Sequence, residues 1–248
     1  FCLLLYRDND MIRILHTADW HLGQTFFGYD RTKEHEAFLD WLLREIRKNE
    51  IDALIIAGDV FDVSNPSAAS QRMYYEFIYR VTAENPGLQI VIVAGNHDSA
   101  ARLEAPLPLL QAMRTEVRGV VRKLNEGEID YDHLAVELKN REGEVEVLCM
   151  AVPFLRQGDY PVVETEGNPY MEGVRELYTQ LLQRLWARRK TNQAILAIGH
   201  LQATGSEIAE KDYSERTVIG GLECVSPDTF SEKIAYTALG HIHKAQRV

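Results

Sequence analysis

Short apolar runs recur along the chain, and most of them stop at a glycine, an aspartate or a histidine. Ile12-Arg13-Ile14-Leu15, Ala53-Leu54-Ile55-Ile56-Ala57 and Ile90-Val91-Ile92-Val93-Ala94 are the clearest. Runs of this length, rich in β-branched residues and bounded by turn formers, predict buried strands. Strands are predicted near 12–18, 53–57, 89–94, 134–138, 145–152, 194–198 and 234–239, and helices, from apolar positions spaced by three and four, near 32–48, 67–82, 101–114 and 171–190. Strand and helix alternate through the first third, the pattern of parallel βαβ units. Further on, the strands at 134–138 and 145–152 flank a polar stretch containing Gly143 and predict a hairpin. The sum is an α/β chain: two packed sheets with helices outside, a four-layer α/β/β/α sandwich.

The helix at 171–190 carries one apolar stripe, Val174, Leu177, Tyr178, Leu181, Leu182, Leu185 and Trp186. Arg184, Arg188, Arg189 and Lys190 crowd its last turns, where cations complement the helix dipole, so a solvated helix end is expected there rather than a DNA-binding patch. The helix at 67–82 places Met73, Tyr74, Phe77, Ile78 and Val81 on one face, with Tyr75 and Tyr79 beside it. The 101–114 segment adds Leu103, Leu107, Leu109, Leu110 and Met113, interrupted by Pro106 and Pro108. That is more apolar surface than one sheet contact consumes, and it predicts a homodimer through these two regions. Phe26, Phe27 and Tyr29 are expected to pack on the start of the helix at 32–48; stacking on nucleic-acid bases is the other use of such a group.

Composition is that of an ordinary globular protein: 248 residues, 46% hydrophobic and 26% charged, enough for one large α/β domain. Cys2, Cys149 and Cys224 form no CxxC pair, which fits a reduced, cytoplasmic protein. The first ten residues are apolar at their start but too short for a signal or a membrane span, and no membrane association is expected. Met11 precedes a strand, so residues 1–10 are expected to be an extension outside the domain at 11–248. The sequence stops five residues after His243, which suggests a domain continued beyond this chain. A net charge of −10 argues against attraction of nucleic acid by the whole surface, but not against a local cationic site.

The candidate chemistry lies in five short words. They are Asp19-Trp20-His21, Gly58-Asp59, Gly95-Asn96-His97-Asp98, Gly199-His200 and Gly240-His241-Ile242-His243. Most follow a predicted strand, and groups just past the carboxyl ends of neighbouring strands share one crevice. Carboxylate, amide and imidazole together suit manganese, iron or zinc better than calcium or magnesium. Asp19, His21, Asp59, Asn96, His200, His241 and His243 are the candidate ligands of two divalent metals, with Asp59 bridging. In extended backbone, residues i and i+2 point to one side, which would bring Asp19 with His21 and His241 with His243 into the crevice. Two metals can lower the pKa of a shared water and clamp a phosphoryl group. His97 is the candidate acid or phosphate-orienting group, and Asp98 its orienting carboxylate. His16, His35 and His133 lack a partner motif and are expected to be structural.

The order D-x-H, GD, GNHD, GH, GHxH resembles the calcineurin-like metallophosphoesterases. The flanks, Ile14 to Gly23, His35 to Leu43, Gly58-Asp59-Val60-Phe61-Asp62 and Pro153-Phe154-Leu155-Arg156, resemble the double-strand-break repair nucleases among them. That resemblance covers about residues 11–248. It implies manganese held by Asp19, His21, Asp59 and His243 at one site and by Asp59, Asn96, His200 and His241 at the other, with His97 catalytic. It implies a DNA nuclease, exonucleolytic 3′→5′ on duplexes and endonucleolytic on single strands, working in repair and recombination with a partner ATPase. A DNA-capping domain and the ATPase-binding helices would follow residue 248. Archaeal members carry a histidine where this chain has Asp62. The same metal core also serves phosphatases and cyclic-nucleotide phosphodiesterases, and a non-catalytic scaffold could keep the fold, although no ligand is missing here.

Overall fold

The structure is a computed structural model that describes residues 3–5, 11–203, 224–243 and 246, so Cys2 and most of the expected extension at 1–10 lie outside the described residues. Five strands form the first sheet: β1 (Leu3–Leu5), β2 (Ile14–Thr17), β3 (Ala53–Ala57), β4 (Gln89–Val93) and β5 (Thr115–Arg118). They lie in that order, all parallel except β1, which runs antiparallel to β2. The second sheet holds β6 (Ala135–Lys139), β7 (Val145–Ala151), β8 (Ala194–His200) and β9 (Tyr236–Gly240), in the order β9-β8-β7-β6. Here β7, β8 and β9 are parallel, and β6 folds back on β7 as the predicted hairpin.

Period-two alternation sorts each strand's side chains between two cores. From β3, Leu54 and Ile56 face the helices α1 (Thr32–Lys48) and α2 (Ala68–Glu84), meeting Leu42, Ile46, Phe77 and Ile78. Ala53, Ile55 and Ala57 face the other way, onto Cys149, Leu196, Ile198 and Ala238 of the second sheet. A third core lies between that sheet and α5 (Pro169–Arg188), where Leu177, Leu181 and Leu185 meet Leu148, Met150 and Ile195. Three cores separate four layers, the expected α/β/β/α sandwich. Strands apolar on both faces are what burial between a helix layer and a second sheet requires.

The structure corrects several local expectations. The 101–114 segment is two short helices, α3 (Ala100–Glu104) and α4 (Leu107–Ala112), because Pro106 lacks an N–H and crowds the preceding turn. β5 falls on Thr115–Arg118, a segment too polar to read as a strand. On α2, Tyr74, Phe77, Ile78 and Val81 are buried within this chain, as are Leu103 on α3 and Leu110 on α4. Phe77 is 3% and Leu110 1% exposed, so neither is available to a second copy. Phe26, Phe27 and Tyr29 do not pack on α1. They stand on a tight two-stranded hairpin, Thr25–Phe26 with Tyr29–Asp30, and are 61%, 85% and 76% exposed. Positive φ at Phe27 and Gly28 makes the turn that matches strand twist. The cations ending α5 are the solvated helix end that was expected. Arg184 faces Glu128 and lies over Tyr131, Arg188 pairs with Asp132, and Arg189 lies over Trp186. Among the described residues, no helix is long and apolar enough to cross a membrane.

Candidate metal centre

Parallel strands bring their carboxyl ends to one edge of each sheet, and the five words sit on those edges. Asp19 and His21 follow β2, Asp59 follows β3, Asn96 and His97 follow β4, His200 ends β8, and His241 and His243 follow β9. Backbone bonds zip the first two turns together: the N–H of Asp19 donates to Gly58 O, that of His21 to Asp59 O and that of Leu22 to Val60 O, each at 3.0 Å. Between Asp19 and His21 the Trp20 indole turns inward, edge-on to Phe38 and Phe77, and anchors the turn in the core.

The backbone that presents these donors is not extended. Asp19, His21, Asp59 and His241 have φ of 56°, 45°, 49° and 91°. Left-handed turns, rather than same-side i and i+2 positions of an extended strand, aim these side chains. Such conformations cost an L-residue of order 1 kcal/mol or more, and they gather where function overrides stability. Gly58, at φ 90°, is required on a second count, because a Cβ there would strike the His200 ring.

Seven predicted ligand residues converge. At one end, His21 Nε2 and His243 Nε2 are 3.0 Å apart, and an Asp19 oxygen lies 4.0 Å from His243 Nε2. At the other, Asn96 Oδ1 lies 2.9 Å from His200 Nε2 and 3.1 Å from His241 Nδ1. Asp59 is between them: its Oδ2 is 3.2 Å from His200 Nε2 and 3.8 Å from His21 Nε2. That oxygen is buried and has no well-aligned hydrogen-bond donor. Asp59 Oδ1 accepts the His97 N–H, and Asp19 Oδ1 accepts the His241 N–H. His200 Nδ1 donates to Ala57 O at 2.8 Å, which turns Nε2 toward the crevice. Donor atoms of Asp19, His21 and His243, and separately of Asp19, Asp59 and His200, lie within 4.8 Å of one another.

The electrostatics agree with a place for cations. Burial alone would raise the Asp59 pKa, but His200 and His21 outweigh it and hold the carboxyl well below the usual range. Burial would lower the His200 pKa, but the Asp59 and Asp19 carboxylates push it up to about 9. The imidazole is shifted upward because two carboxylates, Asp59 and Asp19, bring negative charge to the crevice.

Two predicted roles are redistributed. Asp98 does not orient His97. Its carboxylate accepts the backbone N–H groups of Gly95 at 2.9 Å, Phe61 at 3.0 Å and Val60 at 3.2 Å, and so pins the turn after β3 to the turn after β4. The His97 ring is set instead by Asp62, whose carbonyl accepts from Nδ1 at 2.7 Å. The Asp62 carboxylate also stands 3.3 Å from His21 Nδ1, and that contact, against the effect of burial, lowers its pKa. Asp62 was legible only as a member of the Gly58-Asp59-Val60-Phe61-Asp62 word. Phe154, set edge-on to His200 with ring centroids 6.2 Å apart, is a second neighbour, legible only as a member of the Pro153-Phe154-Leu155-Arg156 word. His16, His35 and His133 belong to none of the donor clusters; desolvation lowers the pKa of the half-buried His16 to about 4, and a ring nitrogen lies 3.1 Å from the Tyr236 hydroxyl.

The sequence profile of the calcineurin-like phosphoesterase family matches residues 12–245. The chain belongs to that family. Membership, with these clusters of oxygen and nitrogen donors, identifies the crevice as a site for divalent metal. Among curated relatives, the SbcD component of the nuclease SbcCD from Rhodobacter capsulatus is 39% identical over 242 residues, 95% of this chain and 58% of that protein. Its counterpart from Escherichia coli K12 is 34% identical, over 95% of this chain and 57% of that protein. The Bacillus subtilis counterpart is 29% identical, over 96% and 58%. The chain thus spans a little over half the length of these relatives.

Proposed function

We propose that this chain is the catalytic region of a manganese-dependent two-metal DNA nuclease. One metal would be held by Asp19, His21, Asp59 and His243, the other by Asp59, Asn96, His200 and His241. The observation that carries this reading is the position of Asp59, its unmatched buried oxygen set between an imidazole from each end. When bound, two divalent cations supply a water of lowered pKa and neutralise charge on the phosphoryl oxygens. The protein's own groups do the rest. His200 is aimed by Ala57 O through its Nδ1, leaving Nε2 for the crevice, and the Asp62 carboxylate stands 3.3 Å from His21 Nδ1. His97 commits Nδ1–H to a carbonyl that can only accept, so the proton it exchanges is the one at Nε2. From there it protonates the leaving oxygen or orients the phosphate.

DNA is favoured over a small ester by the relatives' names and by the hairpin bearing Phe26, Phe27 and Tyr29. It begins four residues after His21 and holds its rings in solvent, where bases can stack on them. The same reading includes 3′→5′ exonuclease action on duplexes, endonuclease action on single strands, and a partner ATPase of the SbcC type. It also includes pairing with a second copy. After the burial of Phe77 and Leu110, that pairing rests on the exposed Tyr79 and Leu109. Light scattering should then report twice the chain mass, and Tyr79→Glu with Leu109→Glu should halve it.

A manganese-dependent assay on linear duplex DNA, single-stranded DNA and bis-p-nitrophenyl phosphate tests the proposal. Cleavage of all three, abolished by chelation and restored by manganese, is expected. Hydrolysis of p-nitrophenyl phosphate monoester with no action on DNA would replace the nuclease with a phosphatase.

A further inference from the structure

A strand laid across the crevice must be held by phosphates beside the one being cut, and in this chain 27 lysines and arginines are outnumbered by 37 carboxylates. Many of its arginines are engaged: Arg13 faces Glu50, Arg80 faces Asp40, Arg118 faces Glu116 and Arg141 faces Asp52. Arg156 is different. Its side chain is exposed, and among the described residues no carboxylate lies within ion-pair distance of its guanidinium. The nearby Asp159 carboxylate is turned to the backbone, accepting the Arg156 N–H at 2.8 Å. The guanidinium lies over the Phe154 ring, 5.3 Å from its centroid, and that ring meets His200 edge-on. The Phe154 N–H donates to Ala94 O at 2.8 Å, two residues before Asn96. A cation with no carboxylate partner among the described residues is therefore held one ring away from the Asn96–His200 end of the crevice. Stacking on an aromatic face limits the freedom that Arg156 would lose on gripping a ligand.

We propose that Arg156 binds a backbone phosphate next to the scissile one, on the His200 side of the crevice, and so selects a polynucleotide over a small diester. The inference rests on the nuclease reading above. A planar guanidinium presents paired donors to phosphate oxygens, which an ammonium does not.

The test compares wild type, Arg156→Gln and Arg156→Lys. Two measurements are made on each: turnover of single-stranded DNA and of bis-p-nitrophenyl phosphate with manganese, and fluorescence-anisotropy binding of a labelled single strand across a salt series. Arg156→Gln should raise KM for DNA roughly tenfold. It should leave bis-p-nitrophenyl phosphate turnover unchanged, since that ester has no flanking phosphate. The slope of log K against log salt should become shallower by about 0.7, the share of one phosphate contact on a single strand. Arg156→Lys should keep the slope and recover part of KM. An unchanged DNA KM and slope in Arg156→Gln, or an equal loss on both substrates, overturns the proposal. If wild type cleaves nothing but binds the strand with a slope that depends on Arg156, the phosphate site stands and the nuclease reading falls.

Discussion

Asp59 and Asp98 lie on neighbouring turns, both out of reach of water, and their surroundings differ in kind. Asp98 receives three backbone N–H groups, and its carboxylate has no further duty. Asp59 receives one, on Oδ1, while Oδ2 faces imidazoles from two directions without a well-aligned donor. Burial, with the charge of Asp59 added, pushes the Asp98 carboxyl upward against those three N–H groups. Around Asp59 the imidazoles outweigh burial and pull it down. A buried carboxylate matched by fixed dipoles is a pin for the backbone. One left open among nitrogen donors is a place for a cation. What separates the two is hydrogen-bond satisfaction, because burial is common to both.

The comparison breaks most visibly at Asp59. Asp59→Asn should lose metal binding and activity together, by about 10³-fold or more, since each metal contributes several kcal/mol to the transition state. Metal content by mass spectrometry and turnover with manganese report the two; retained metal in this variant would remove the distinction drawn here. His97→Asn comes next. Cleavage should fall roughly 10²–10⁴-fold, the usual contribution of a positioned acid–base group, with metal content unchanged. Loss of metal along with activity would move His97 among the ligands.

Asp98→Ala should act on the fold instead. Three backbone donors lose their acceptor, a cost of about 3 kcal/mol or more, which in a chain of this size lowers Tm by roughly 6–12 °C. Turnover of the folded fraction at low temperature should stay within about tenfold of wild type. A chemical loss as large as that of His97→Asn would return Asp98 to the reaction. Glu104 gives the smallest and sharpest comparison, as another carboxylate matched by backbone. Burial opposes its ionisation, but His133, the N–H groups of Gly119 and Val120, and Arg122 hold its pKa at about 2 against the ordinary 4.5. A depressed folded value means stability that is complete above about 4.5 and lost as pH falls toward 2. Urea unfolding of Glu104→Gln should therefore show a shallower loss over that window than wild type. Identical slopes would mean that the carboxylate gains nothing from its partners.

The layers were legible because the apolar runs at 53–57, 90–94 and 194–198 are pure, and purity on both faces has few structural explanations. Thr115–Arg118 was hidden, since two of its four residues are charged and only position beside β4 makes it a strand. The donors of the crevice were legible as types, because carboxylate, amide and imidazole recur at strand ends. Their aim was not. Asp19 and His21 reach the crevice through left-handed turns that no spacing rule encodes, and the direction of the Asp98 carboxylate depends on turns nearly forty residues apart. The apolar face of α2 was legible as a face, but what covers it was not. Periodicity reports that Phe77 is covered, but the cover is Trp20 in the same chain.

Lastly, chain order separates the crevice into an early half and a late half. Asp19, His21, Asp59, Asn96 and His97 belong to turns of the first sheet, which is complete in sequence by Arg118. His200, His241 and His243 arrive on β8 and beyond β9, more than eighty residues later. During synthesis the first sheet can therefore fold while the imidazoles that finish the crevice have yet to be made. A chain interrupted before β9 carries Asp19, Asp59 and His97 but lacks His241 and His243. The crevice is therefore finished only after β9 has been made, well after the sheet that carries its carboxylates.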